Sequence, residues 1–225
     1  MLKVGARARV WGRAFVVALM VGLAAVTLRP AESLAASDAG VIAVKAQPKG
    51  SVYLYLGLLN VFSTGLDSLG SKLRARGVPA VVMNYAGWGG PASEVESRYA
   101  KNKARARPIV IVGHSFGADA AIAMAARLGQ KKIPVDLVVI FDATQRQPVP
   151  ANVRHLINYY SPNGGVGKRL SPAKGFRGRL ENINVDKLGK DIDHLSIEKQ
   201  AVFHRRVISE VLRLYGGSAK SASLE

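Results

Sequence analysis

The sequence contains no cysteine. This absence excludes disulfide bonds, zinc sites built on thiolates and a thiol nucleophile. It also excludes a lipid-modified cysteine at the N-terminus. Any covalent catalysis must therefore rest on another nucleophile, and a chain without thiols is compatible with an oxidising compartment.

Acidic residues are scarce: 15 Asp and Glu stand against 32 Lys and Arg, for a net charge of +17. Such an excess can indicate nucleic acid, anionic lipid or an acidic polymer as partner. The basic residues are scattered apart from two runs, at 101–107 and 168–179. No recognition helix, zinc finger or RNA-binding aromatic motif accompanies them. The sequence predicts no specific nucleic-acid partner, and it favours a solvated cationic surface that contacts an anionic membrane or envelope.

A hydrophobic run long enough to span a membrane is also missing. Residues 1–36 combine basic residues near the start, an apolar run over 14–28 and small residues at Ala35 and Ala36, which is the pattern of a signal peptide. The apolar run is shorter than the roughly 20 residues of a membrane-spanning helix. We expect cleavage after Ala35 or Ala36 and export to a bacterial periplasm or the medium, with an uncleaved inner-membrane anchor as the alternative.

The remaining chain divides into a polar lead-in at 37–50, one globular domain at 51–216 and a flexible C-terminal tail at 217–225. Strands and helices are predicted to alternate within the domain, which indicates a doubly wound, mainly parallel α/β sheet with helices on both faces. The strands are predicted at 51–56, 78–85, 109–112, 134–141 and 155–160, with a short sixth at 182–185 and a closing helix over 195–215. The irregular segments 144–154 and 161–180 follow strands, where ligands bind in such sheets, and are predicted to form substrate loops or a small lid.

The most informative stretch is Gly113-His114-Ser115-Phe116-Gly117, between a short apolar strand and a helix rich in small residues. In this context a serine is held at a sharp turn with its hydroxyl exposed above the sheet. Gly113 and Gly117 are expected there because a Cβ at either position would clash with closely approaching backbone. Ser115 is therefore a candidate nucleophile, and it requires a base and an acid that orients the base.

Asp142 directly follows the next apolar strand, so it is expected at the same sheet edge as Ser115. His194 lies in a polar loop before the closing helix and fits the role of base better than His114, His155 or His204. Asp191 and Asp193 are rival acids. Asp193 is adjacent to His194, and because neighbouring side chains diverge, Asp142 is the preferred acid.

The elbow, the acid after the following strand and the late histidine occur in the order Ser…Asp…His, so the chain resembles the α/β-hydrolase superfamily over about residues 50–215, and most of all its thioesterase-type members. The resemblance implies a compact fold with a small lid or none, and it implies no metal and no cofactor. It also implies an oxyanion hole formed by the backbone N–H groups of Phe116 and Leu58, although Leu56-Gly57-Leu58 stands where the family usually has His-Gly.

The sequence thus predicts an exported serine hydrolase that cleaves an ester or thioester through an acyl-enzyme on Ser115. Its substrate would be a small-molecule, lipid or glycan ester. Two alternatives stay open at this point: a non-catalytic scaffold of the same fold that binds an anionic envelope component or a partner, and an acyltransferase that uses the same acyl-enzyme.

Overall fold

A computed structural model of the chain describes residues 50–58, 64–188 and 192–216. The predicted signal segment at 1–36, nearly all of the lead-in at 37–50 and the tail at 217–225 lie outside these ranges. The domain boundaries drawn from the sequence therefore remain predictions.

The described residues form six strands, four α-helices and three short 3-10 turns. The strands are β1 (Ser51–Leu56), β2 (Ala80–Asn84), β3 (Ile109–His114), β4 (Leu137–Phe141), β5 (His155–Tyr160) and β6 (Arg179–Asn184). The helices are α1 (Thr64–Arg74), α2 (Gly89–Lys101), α3 (Phe116–Gln130) and α4 (Ala201–Leu214). The 3-10 turns are Tyr85–Gly87, Val185–Leu188 and Ile197–Lys199.

The strands form one sheet in the order β2-β1-β3-β4-β5-β6, and every neighbouring pair is parallel. A core cluster on one face joins the sheet to Leu69 of α1 and Phe203 of α4. A second cluster on the other face joins it to Val95 of α2 and Met124 of α3. The predicted doubly wound sheet with helices on both faces is confirmed, and β3 and β4 read as continuous apolar runs because both their faces are covered.

Parallel pairing places the carboxyl ends of all six strands at one edge of the sheet and their amino ends at the other. Ser115 follows β3, and Asp142 follows the neighbouring strand β4. The connections after β4 and β5, at 142–154 and 161–178, contain no α-helix. Ser115 and Asp142 therefore lie at the carboxyl edge of the sheet, the edge at which the irregular connections 142–154 and 161–178 begin.

Several elements differ from their predicted bounds. The second and fourth strands begin at Ala80 and Leu137 rather than at 78 and 134, and the third extends to His114 rather than to 112. The sixth strand begins at Arg179 rather than at 182, and the closing helix begins at Ala201 rather than at 195. The stretch before Ala201 turns instead, because Asp193 Oδ1 accepts the Leu195 N–H at 3.0 Å and the Asp193 carbonyl accepts the Ile197 N–H at 2.9 Å. No helix within the described ranges is long and apolar enough to cross a bilayer.

Candidate active site

Ser115 stands at a strained turn between β3 and α3, with φ of 58° and ψ of −126°. A non-glycine residue in this region is uncommon and persists only where the surrounding structure enforces it. A Cβ on Gly113 would lie 2.1 Å from the Gly117 carbonyl oxygen, and a Cβ on Gly117 would lie 1.9 Å from the Tyr55 carbonyl oxygen. The predicted steric need for both glycines is confirmed.

His194 lies between Ser115 and Asp142. Its Nε2 is 3.0 Å from Ser115 Oγ, and its Nδ1 is 2.6 Å from Asp142 Oδ2. A carboxylate only accepts hydrogen bonds, so Nδ1 carries the proton and Nε2 accepts the Ser115 hydroxyl. The structure thus brings together the three residues that the sequence singled out, in the geometry of a serine, a base and an orienting acid.

Asp142 is fully buried and remains a hydrogen-bond acceptor. Burial alone would raise its pKa, but the hydrogen bond from His194 and the N–H groups of Ser161 and Val166 more than offset that effect, so the pKa lies below its usual range. The Ser161 and Val166 amides donate to its two oxygens at 2.9 and 3.0 Å. The carboxylate is consequently charged and fixed where it faces Nδ1 of His194.

The segment 161–167 surrounds this carboxylate, a role that sequence reasoning missed. A Cβ on Gly165 would come within 2.1 Å of Asp142 Oδ2, and one on Gly167 within 1.9 Å of Oδ1. The segment belongs to 161–180, which was predicted to form a substrate loop or a small lid, and within 161–167 only Val166 lines the cavity beside Ser115. The run Gly164-Gly165-Val166-Gly167 was the available signal, since clustered glycines permit close approach of backbone to another group.

His114 supports the base. Its ring is buried, and its Nε2–H donates to the backbone carbonyl oxygen of His194 at 2.8 Å, with the two rings 4.8 Å apart. Burial lowers its pKa to about 4, so the ring is neutral at physiological pH. The residue directly before the nucleophile thereby holds the loop that carries His194.

The rival acids are not in this arrangement. Asp193 is exposed, and its carboxylate accepts the Leu195 N–H within its own loop. Asp191 lies outside the described ranges.

A cavity of about 350 Å³ opens beside Ser115 and His194. Its other lining residues are His114, Gly57, Leu58, Phe116, Thr144, Val166 and Leu195. Four large apolar side chains at this opening are 39–48% exposed: Leu58, Phe116, Val166 and Leu195. No lining residue of this cavity is Asp, Glu, Lys or Arg, so the walls suit an uncharged, apolar group.

Phe116 and Leu58, the predicted oxyanion donors, both line this cavity, on the first turn of α3 and after β1. The Phe116 ring also stacks on Tyr85 at 5.5 Å. Among the residues that the structure describes, no group of three or more His, Asp or Glu side chains could hold a metal ion.

The parallel sheet, the strained serine elbow and the alignment of Ser115, His194 and Asp142 define an α/β-hydrolase fold. No protein-family model and no curated protein sequence matches the chain. Solved structures similar to it at low sequence identity include the following three. One is a protein from Xanthomonas campestris pv. campestris assigned to the α/β-hydrolase superfamily (14% identity, 73% of this chain and 99% of that chain covered, TM-score 0.41). The second is YbtT, a type II thioesterase from the yersiniabactin biosynthetic pathway (9% identity, 76% of this chain and 95% of that chain covered, TM-score 0.42). The third is the NocB thioesterase domain in covalent complex with a fluorophosphonate nocardicin G analog (13% identity, 75% of this chain and 95% of that chain covered, TM-score 0.42).

Proposed function

We propose that the protein is a serine hydrolase that cleaves esters or thioesters of apolar acids through an acyl-enzyme on Ser115. The observation that carries this proposal is the position of His194, within hydrogen-bond distance of both Ser115 Oγ and the buried Asp142 carboxylate. Such a chain of contacts activates an otherwise weak hydroxyl nucleophile.

In the proposed reaction Ser115 Oγ attacks the acyl carbonyl carbon while Nε2 of His194 takes the hydroxyl proton. The tetrahedral intermediate collapses, the bond to the leaving alcohol or thiol breaks, and His194 returns the proton to that leaving group. Water then attacks the acyl-enzyme with His194 again as base, which releases the acid and restores Ser115. Asp142 holds the Nδ1–H tautomer throughout and stabilises the imidazolium that forms.

The oxyanion of each tetrahedral intermediate is assigned to the backbone N–H groups of Phe116 and Leu58. Both residues line the cavity at Ser115, and a backbone donor does not require the histidine that Leu56 replaces. In comparable enzymes, loss of one such donor raises the barrier by about 3–4 kcal/mol.

The cavity favours an apolar acyl group over a charged one. Leu58, Val166 and Leu195 provide walls on which an alkyl chain can be buried, each methylene contributing about 0.8 kcal/mol. Neutral esters with alkyl acyl chains are therefore the substrates expected to react fastest.

The test is hydrolysis of p-nitrophenyl esters of increasing acyl length by the wild type and by Ser115→Ala. We expect turnover to fall by about a thousandfold or more in the variant, while Ser93→Ala, an exposed serine on α2, leaves it unchanged. A fluorophosphonate probe should label the wild type at Ser115 alone. Folded wild-type protein that is neither labelled nor active would instead support a non-catalytic scaffold, and activity that survives Ser115→Ala would disprove the assignment of the nucleophile.

Export is a further part of the proposal, and it rests on the sequence of residues 1–36. Its test is N-terminal sequencing of the protein recovered from fractionated bacterial cells. A mature chain that begins at Ala36 or Ser37 in the periplasm or medium supports cleavage, and an intact chain in the inner membrane supports the anchor instead.

A further inference from the structure

The amino edge of the sheet, opposite the candidate active site, concentrates positive charge. Four segments enter β3, β4, β5 and β6 at this edge: 101–108, 131–136, 150–154 and 174–179. Together they carry these cations: Lys101, Lys103, Arg105, Arg107, Lys131, Lys132, Arg154, Lys174, Arg177 and Arg179. All are exposed except the half-buried Arg107, and the segments contain one acid, the buried Asp136. We call these four segments the amino face.

The segments of the amino face are neighbours in space. Asp136 pairs with Arg107 and lies 3.6 Å from Arg154. The Arg179 N–H donates to the Arg154 carbonyl at 2.8 Å. Arg179 also lies 3.2 Å from Glu181 of β6. Within the four segments, ten cations stand against one acid.

The carboxyl edge lacks this imbalance. Its described segments are 115–119, 142–149, 161–170, 185–188 and 192–199. Their acids are Asp119, Asp142, Asp186, Asp193 and Glu198, and their cations are Arg146, Lys168, Arg169, Lys187 and Lys199, so the two signs are equal in number. The excess charge is therefore directional: it lies on the side away from Ser115 rather than around the domain as a whole.

Helix ends explain only part of the pattern. Lys101 ends α2 and Lys131 follows α3, and cations there stabilise the negative end of a helix dipole. Lys103 and Lys132 lie within two residues of the same helix ends, but the cations at 154 and 174–179 follow no α-helix directly. Gathering like charges raises their mutual repulsion. A surface that keeps this repulsion is suited to a polyanionic partner.

The position at which the chain enters the domain favours a membrane surface as the polyanionic partner. Gly50 leads into β1 at this same edge, and its N–H donates to the Arg105 carbonyl at 3.0 Å. Only residues 29–49 separate that point from the apolar run at 14–28. Where a bilayer holds the apolar run, during export or as an anchor, the chain that leaves this bilayer enters the domain at the amino edge. Phe176 is the one aromatic residue in the four segments, whereas single-stranded nucleic acid needs several stacking platforms.

We propose that the amino face docks on the anionic headgroups of a phospholipid membrane, with the candidate active site at the opposite edge of the sheet. Docking of this kind needs exposed cations and no shaped pocket, each Lys or Arg near the surface adding to the attraction. Because the two edges are separate, docking does not require catalysis and catalysis does not require docking.

The test is binding of the protein, as processed by the expressing cell, to vesicles of phosphatidylcholine with or without about a third phosphatidylglycerol. The amino-face variant Lys101→Glu/Lys131→Glu/Arg177→Glu is compared with Arg146→Glu/Arg169→Glu/Lys187→Glu at the carboxyl edge. The two variants have the same net charge, and all six residues are exposed.

We expect the amino-face variant to lose about a hundredfold in affinity for the anionic vesicles, and the control variant to lose less than about threefold. Raising the salt concentration should also lower the affinity of the wild type for the anionic vesicles. Equal losses in the two variants, or binding that ignores phosphatidylglycerol, would overturn the proposal. So would tighter binding of the wild type to duplex DNA than to anionic vesicles at the same salt concentration. Esterase activity of the amino-face variant on a soluble ester is expected to equal that of the wild type, which separates this test from that of the proposed reaction.

Discussion

Asp142 and Glu198 are both fully buried carboxylic acids, and they lie in opposite electrostatic environments. Asp142 accepts hydrogen bonds from His194, Ser161 and Val166, and its pKa lies below the usual range despite its burial. Neither oxygen of Glu198 accepts a hydrogen bond of good geometry from any residue that the structure describes. Burial raises the pKa of Glu198 to about 7, and the charge of Lys199 and the nearby backbone N–H groups of Gly65 and Leu66 offset this effect only in part.

The difference shows that burial does not by itself identify an orienting acid. Both carboxyl groups are withdrawn from water, which disfavours the charged form of each. What separates them is the number of donors that converge on the oxygens. Three donors keep Asp142 charged at neutral pH and able to hold the His194 tautomer, whereas Glu198 takes up a proton near neutrality.

The substitution Asp142→Asn tests most directly whether the charged carboxylate of Asp142 orients His194. An amide at this position donates to Nδ1 of His194, so the ring proton moves to Nε2 and no acceptor faces the Ser115 hydroxyl. We expect kcat for a p-nitrophenyl ester to fall by about 10⁴, with the fold retained as judged by circular dichroism. A loss of less than tenfold in the folded variant would show that another group orients His194.

The glycines around Asp142 provide the next test. A Cβ on Gly165 would meet Asp142 Oδ2 at 2.1 Å, whereas one on the adjacent Gly164 would meet nothing closer than 3.2 Å. Gly165→Ala should displace the carboxylate and lower kcat by about a hundredfold, with Gly164→Ala close to the wild type. Similar activities of the two variants would mean that the segment can move without disturbing the site.

These glycines also show where sequence reasoning reached its limit. The sheet, the elbow and the choice of Asp142 over Asp193 followed from patterns of short range: apolar runs, glycine spacing, and the position of an acid at the end of a strand. The support for Asp142 comes from backbone amides of Ser161 and Val166, and every residue except proline carries such an amide. Nothing in their side chains marks these two positions.

The turn at 195–200 was mispredicted as helix for a related reason. Its residues permit a helix, but Asp193 caps the Leu195 and Ile197 N–H groups and the Glu198 carbonyl accepts a hydrogen bond from His204 Nε2 at 2.7 Å. These contacts are local, between residues two to six positions apart, and the helical spacing of apolar residues from which the helix was predicted does not reveal them.

Glu198 predicts an effect on stability rather than on catalysis. Its pKa in the folded state, about 7, lies above the ordinary value of 4.5, so the folded protein holds this proton more tightly than the unfolded chain does. The free energy of unfolding should therefore fall as pH rises from about 4.5 to 7 and then level off, by at most about 3 kcal/mol. In Glu198→Gln this part of the pH dependence should disappear. The stability of the variant, measured relative to the wild type at the same pH, should therefore be greater at pH 8 than at pH 5. Urea unfolding at the two pH values measures this difference, and identical pH profiles for the variant and the wild type would contradict the raised pKa of the buried Glu198 carboxyl.

Asp193→Asn should have the smallest effect. Asp193 is adjacent to His194 in sequence, but its carboxylate is exposed and accepts the Leu195 N–H, a role that the amide oxygen of asparagine can also fill. The negative charge near His194 is lost at a solvated position, where its influence on the hydrogen bond between His194 and Asp142 is weak. We therefore expect kcat/KM for a p-nitrophenyl ester to change by less than about threefold, beside the roughly 10⁴-fold loss of Asp142→Asn. A loss in Asp193→Asn that approached that of Asp142→Asn would reverse the assignment, because the acid that acts on His194 would then be the exposed neighbour and not the buried carboxylate with three donors.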